Sequence, residues 1–129
     1  MKKTRIILGL VASGKTTLYR KLNEEKICNA VEIELPQSCF HDENMKKALM
    51  DLYLNNENID CIIIHPYFLP KNFEYDFEYL NVPVDERKRR AIKRSMLMDS
   101  DCIIFNGDFF EREEEALQAI KNKKEFIKW

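Results

Sequence analysis

Residues Gly9 to Thr16 read G-L-V-A-S-G-K-T, a full match to the pattern G-x-x-x-x-G-K-[ST]. No other stretch constrains the fold as much, because the pattern works in one local setting only: a strand must run into the glycine turn and a helix must leave it. Both flanks comply. Arg5-Ile6-Ile7-Leu8 is an apolar run suited to a buried strand, and Thr17 to Lys26 suits an amphipathic helix carrying Leu18 and Leu22 on one face. Gly9 and Gly14 let the backbone turn tightly. The loop N–H groups then converge on a phosphate at the helix N-terminus, Lys15 adds a point charge, and the Thr16 hydroxyl is suited to ligate Mg²⁺. Ala12, Ser13 and Thr17 complete the expected phosphate-binding set.

The rest of the chain alternates strand and helix signals. Strands are expected over about 4–9, 30–35, 59–64, 77–82 and 102–105, and helices over about 15–26, 43–56, 85–98 and 109–124. Asp42 or Asn44 supplies the cap of the second helix, in which Met45, Leu49 and Leu52 fall near one face. Strands separated by helices give an α/β domain: a five-stranded parallel sheet flanked by helices, with ligands at the carboxyl ends of the strands.

At 129 residues the chain is expected to form one domain over 1–129. With 21 basic and 22 acidic residues the net charge is −1, so a surface that coats nucleic acid is not expected. No apolar stretch approaches the ~20 residues that span a bilayer. Basic Met1-Lys2-Lys3 runs into a core strand rather than a signal-peptide apolar region, so the expected location is cytoplasmic, with no membrane partner. Cys28, Cys39, Cys61 and Cys102 show no CxxC spacing; Cys61 and Cys102 open apolar runs, as buried reduced thiols do.

A second informative stretch is Tyr79-Leu-Asn-Val-Pro-Val-Asp-Glu-Arg-Lys-Arg-Arg-Ala-Ile-Lys-Arg94. Asp85 and Glu86 sit in the first turn of a helix, and Arg87, Arg90 and Arg94 share a helical face. Such guanidiniums repel one another unless an anion lies between them, and their planar forks suit phosphate oxygens. Alone, the stretch reads as a solvated basic face; with the glycine loop upstream, it reads as a phosphate-facing one.

Together, GLVASGKTT at 9–17, YLNVPVDERKRRAIKR at 79–94 and SDCIIFNGDFFEREEEAL at 100–117 make the chain resemble the P-loop nucleoside and nucleotide kinase superfamily. The third motif is similar to the end of dephospho-CoA kinases and phage deoxynucleoside monophosphate kinases. The resemblance implies a P-loop NTPase three-layer sandwich with ATP and Mg²⁺ as cofactors. A helix at about 84–98 would form the lid, with Arg87, Arg90 and Arg94 on the transferring phosphoryl group, and Asn106 and Gly107 would lie near the adenine. The implied activity is transfer from ATP to a small-molecule nucleotide acceptor.

Two departures from that pattern shape the expectations. Kinases of this kind carry an acid near the loop, at the tip of the second or third strand, whereas the third strand here ends Ile62-Ile63-Ile64-His65-Pro66. Glu34, nearest the tip of the second strand, is favoured for the Mg²⁺ or base role over Glu32 and Asp42; it also reads as an exposed strand residue. His65 reads either as a base or phosphate contact or as a strand-end histidine bonded to backbone. The acceptor region, about 36–58 and 65–76, is short. Phe40, Tyr67, Phe68, Phe73 and Tyr75 form an aromatic wall for a base or else cover the core. A homodimer could complete the acceptor site, and a reduced nucleotide-binding regulator of a partner protein is the alternative function. The acidic run Glu111, Glu113, Glu114, Glu115 ahead of Lys121, Lys123 and Lys124 follows the helix dipole and reads as structural.

Overall fold

The computed structural model describes residues 3–34, 41–97 and 109–122. Strand β1 (Arg5–Leu8) leads into the glycine loop and helix α1 (Lys15–Glu24). Strand β2 (Ala30–Ile33), helix α2 (Glu43–Leu54), strand β3 (Cys61–Ile64), strand β4 (Phe77–Tyr79), helix α3 (Val84–Leu97) and helix α4 (Phe109–Lys121) follow. A 3₁₀ turn, Pro66–Phe68, lies between β3 and β4.

The sheet order is β2-β3-β1-β4, and every pairing is parallel. Among the described residues the sheet has four strands, not the expected five; the fifth candidate, 102–105, lies outside them. In register, Arg5 faces Cys61 and Leu8 faces Ile64. Central β3 is buried along its whole length, which explains its unbroken apolar sequence: a parallel strand covered on both faces has no solvent side.

Period-two alternation splits the core. Ile6, Leu8, Ile62 and Ile64 join Met50 of α2 and Leu117 of α4 on one face. Ile7, Cys61 and Ile63 join Leu18 and Leu22 of α1 on the other. Helices therefore flank both sides of the sheet. A third cluster, Ala12, Ala91 and Phe110 with Val11 and Val84, packs the glycine loop against α3 and α4.

Local chemistry sets the element ends. Helix α1 stops at Glu24, short of the expected Lys26, because Lys26 adopts a left-handed φ of 53° and its N–H turns back to the Asn23 carbonyl. The Asp42 carboxylate accepts the Met45 N–H at 3.0 Å and caps α2. The inward face of α2 is Lys46, Leu49, Met50 and Tyr53, while Met45 and Leu52 are exposed. The expected Met45–Leu49–Leu52 face is thus rotated, with Lys46 and Met50 on the buried side and Met45 and Leu52 in solvent.

No helix among the described residues is long and apolar enough to cross a membrane. Cys28 and Cys61 are free thiols, and burial pushes the Cys61 pKa up to about 11. Cys39 and Cys102 lie outside the described residues.

Candidate functional site

The glycine loop leaves the carboxyl end of β1, where the Gly9 N–H extends the parallel ladder by donating to the Ile64 carbonyl at 3.1 Å. Its two glycines answer different demands. A Cβ on Gly9 would lie 2.6 Å from both Lys15 Cγ and Ser13 Oγ, so a side chain there would force Lys15 or Ser13 to move. Gly14 has open space around it but a φ of 95°, so conformation is what excludes other residues. Ala12 also sits in the left-handed region, at φ 61°.

Gly14 caps α1 without a side-chain hydrogen bond, so the first turn of the helix has no side-chain cap at its N-terminus. Among the described residues, Ser13 Oγ is a buried side-chain oxygen with no hydrogen-bond partner. Lys15 reaches back across the loop and donates to the Leu10 carbonyl at 2.9 Å. The Thr16 hydroxyl donates to Glu32 Oε1 at 2.8 Å. Partial burial holds the Glu32 carboxyl above the usual carboxylate range, reinforced by the neighbouring charge of Glu34 and opposed by the Thr16 hydrogen bond. Glu34 is exposed, and its contact runs to Glu32.

A buried ionic network braces the loop from behind. The Glu113 carboxylate, on α4, accepts the Val11 N–H at 2.9 Å and Arg87 Nη1 at 2.9 Å, and pairs with His65 Nε2. Arg87 also donates to Glu114 at 2.7 Å and to the Val82 and Val11 carbonyls, and its guanidinium stacks over the Phe110 ring. Arg90 joins from the surface, donating to the Ala12 carbonyl at 3.2 Å and to Glu86 at 3.0 Å.

The His65 ring accepts the Tyr67 N–H at Nδ1, at 3.0 Å, so the proton of the neutral ring sits on Nε2 and points at Glu113. Desolvation lowers the His65 pKa, against the pull of Glu113 and with the help of the Lys15 and Arg87 charges. His65 is therefore a neutral donor in this setting. Both of its ring nitrogens are engaged, which favours a strand-end anchor over a base.

The structure brings Gly9, Ala12, Ser13, Gly14, Lys15, Thr16 and Thr17 together in one loop. Arg87 and Arg90 lie beside that loop but turn toward carboxylates and loop carbonyls. Arg94 falls on α3, its side chain outside the described part; Asn106, Gly107 and Phe40 also lie outside. Phe68, Phe73 and Tyr75 pack on the sheet core, Phe73 and Tyr75 stacking at 5.8 Å, while buried Tyr67 packs edge-on against His65 and Phe109.

The sequence reading takes Glu113 only as a structural member of a dipole-following run and misses its buried partners. Its signal was phase. Phe110, Glu113, Leu117 and Ile120 recur at helical spacing on the apolar side of α4, so an acid there must be buried and must find a cation. Arg87 has the matching position on α3 between Val84 and Ala91.

Among the described residues, no three His, Cys, Asp or Glu side chains gather as a metal cluster. Compared with known families and curated proteins, the chain matches no family model and no curated sequence.

Proposed function

We propose that this chain is an ATP-dependent phosphotransferase that acts on a small molecule, a nucleotide or nucleoside monophosphate, and holds the donor phosphates in the Gly9–Thr16 loop. The observation that carries the reading is the partnerless buried Ser13 Oγ beside the uncapped first turn of α1. Buried polar groups are costly without partners, and an anion at this point supplies them. The close approach of Lys15 and Ser13 to the Gly9 backbone, where a Cβ would displace them, supports the same fit.

In this reading the amides of Gly14, Lys15 and Thr16 orient the phosphates. Lys15 exchanges the Leu10 carbonyl for the β- and γ-phosphate oxygens. Thr16 would hold Mg²⁺, assisted by the Glu32 carboxylate that already touches its hydroxyl. Mg²⁺, when bound, neutralises charge building on the β- and γ-oxygens. Arg90 is the lid residue best placed to turn from the Ala12 carbonyl to a phosphate, because it is half-exposed. Catalysis would rest on positioning and electrostatics, with no covalent step on the protein.

One observation favours a second reading, a nucleotide-binding regulator without transfer activity. Arg87, expected on the phosphoryl group, is fully buried and neutralised by Glu113 and Glu114, and the β3 tip offers His65 instead of an acid. Calorimetry with ATP and Mg²⁺, followed by a phosphate-transfer assay over a panel of nucleoside monophosphates, separates the two. ATP binding with transfer supports the phosphotransferase; binding without transfer to any acceptor supports the regulator; no ATP binding overturns both.

A further inference from the structure

We infer that Glu113 is a positioning residue for the phosphate-binding loop: its buried carboxylate sets the shape of the loop backbone and thereby raises the loop's affinity for a phosphate anion. The inference rests on the phosphate reading of the loop and names a residue outside the motif that governs it. Glu113 Oε2 takes the Val11 N–H at 2.9 Å and pairs with His65, while Oε1 takes Arg87 at 2.9 Å. The same Arg87 donates to the Val11 carbonyl, so one ion pair holds residue Val11 at both its N–H and its C=O, in two consecutive peptide units. Arg90 then holds the Ala12 carbonyl. The residue between these grips, Ala12, has a φ of 61°, a conformation a non-glycine residue keeps only when its surroundings enforce it. A loop already bent this way presents its amides to an anion without first being ordered.

The inference has a sign that charge alone does not give. Glu113 is an anion behind an anion site, so a purely Coulombic view has its removal tighten phosphate binding. A positioning role has removal loosen it. A glutamine at 113 presents one acceptor oxygen and an NH₂ group, and cannot receive Val11, His65 and Arg87 together.

The test is calorimetric titration of pyrophosphate into the wild type, Glu113→Gln and Leu117→Val. Leu117→Val trims the core one turn along the same helix and matches a loss of stability without touching the network. Glu113→Gln is expected to weaken pyrophosphate binding roughly tenfold, the scale of one lost charge-assisted hydrogen bond, with Leu117→Val within about twofold of the wild type. Equal or tighter binding by Glu113→Gln overturns the inference while leaving the phosphate reading intact. Equal weakening in both variants also overturns it, because stability loss then accounts for the effect. No pyrophosphate binding by the wild type takes down both readings. Should Glu113→Gln not fold, the wild type decides by nuclear magnetic resonance. The Val11 amide and the Arg87 guanidinium signals should shift with the same midpoint as pyrophosphate is added; signals that stay put at saturation overturn the inference.

Discussion

Arg87 and Glu113 form a wholly buried ion pair at 2.9 Å, joining α3 to α4 directly behind the backbone of the glycine loop. Neither charge reaches solvent, so each depends on the other, and the loop depends on both. Arg87→Met should therefore cost about 3–5 kcal/mol, the range for stranding one member of a buried pair. The double variant Arg87→Met with Glu113→Leu should be less destabilised than the sum of the two singles. Urea denaturation of the four proteins closes the cycle, and additive losses would show that the pair is not coupled.

Lys15 separates stability from ligand binding. Its Nζ donates to the Leu10 carbonyl at 2.9 Å, in a partly buried setting. Lys15→Ala should cost only about 0.5–1.5 kcal/mol of stability, the value of one hydrogen bond. Under the proposed function it should lower the rate of phosphate transfer on the order of 10²-fold or more. Unchanged turnover in a folded Lys15→Ala protein would remove the loop from the reaction.

The two glycines should fail differently. Gly14→Ala meets no steric obstacle but forces a Cβ residue to a φ of 95°, a strain of about 1–2 kcal/mol. Gly9→Ala places a Cβ 2.6 Å from Lys15 and Ser13, so Lys15 must shift. Nucleotide affinity should fall more for Gly9→Ala than for Gly14→Ala when the two are compared with their own unfolding midpoints, and the reverse order would contradict the geometry.

Acid should weaken the fold through His65. Its folded pKa lies below the ordinary 6.5, because the desolvated ring resists charging. Below that ordinary value the unfolded chain takes up a proton that the folded chain refuses. Stability is thus whole above about pH 6.5 and declines as pH falls toward the lowered value, with a limiting slope of about 1.4 kcal/mol per pH unit for one proton. Denaturation midpoints measured in steps from about pH 8 to pH 5 should show this slope, and His65→Asn should flatten it. A slope that persists in His65→Asn assigns the effect to other groups.

Metal dependence should follow Glu32 rather than Glu34. Glu32 Oε1 lies 2.8 Å from the Thr16 hydroxyl, whereas the contact of Glu34 is to Glu32. Glu32→Gln should raise the Mg²⁺ concentration needed for nucleotide binding several-fold, and Glu34→Gln should change it less. Titrations of ATP at graded Mg²⁺ read this directly; equal shifts would spread the role over both acids.

The local elements of this protein were legible from residue order. A continuous apolar run such as Cys61–Ile64 specifies a strand buried on both faces, and a glycine pattern between strand and helix specifies its own turn, because each depends on neighbours in the chain. The parallel sheet with helices on both faces follows from their alternation. Position along a helix was legible as phase, and Glu113 and Arg87 occupy apolar phase on α4 and α3. Their partnership was not legible, since pairing across the fold depends on how two helices pack, and no local pattern records it. The same holds for Glu32 over Glu34: strand alternation puts both on one side, and only the distance from α1 decides which carboxylate meets Thr16. Sequence alone therefore determined a strand, a glycine loop and a helix in that order. Tertiary structure decided which charges beside that loop are taken up in ion pairs, because a buried charge must find the partner that packing brings within reach.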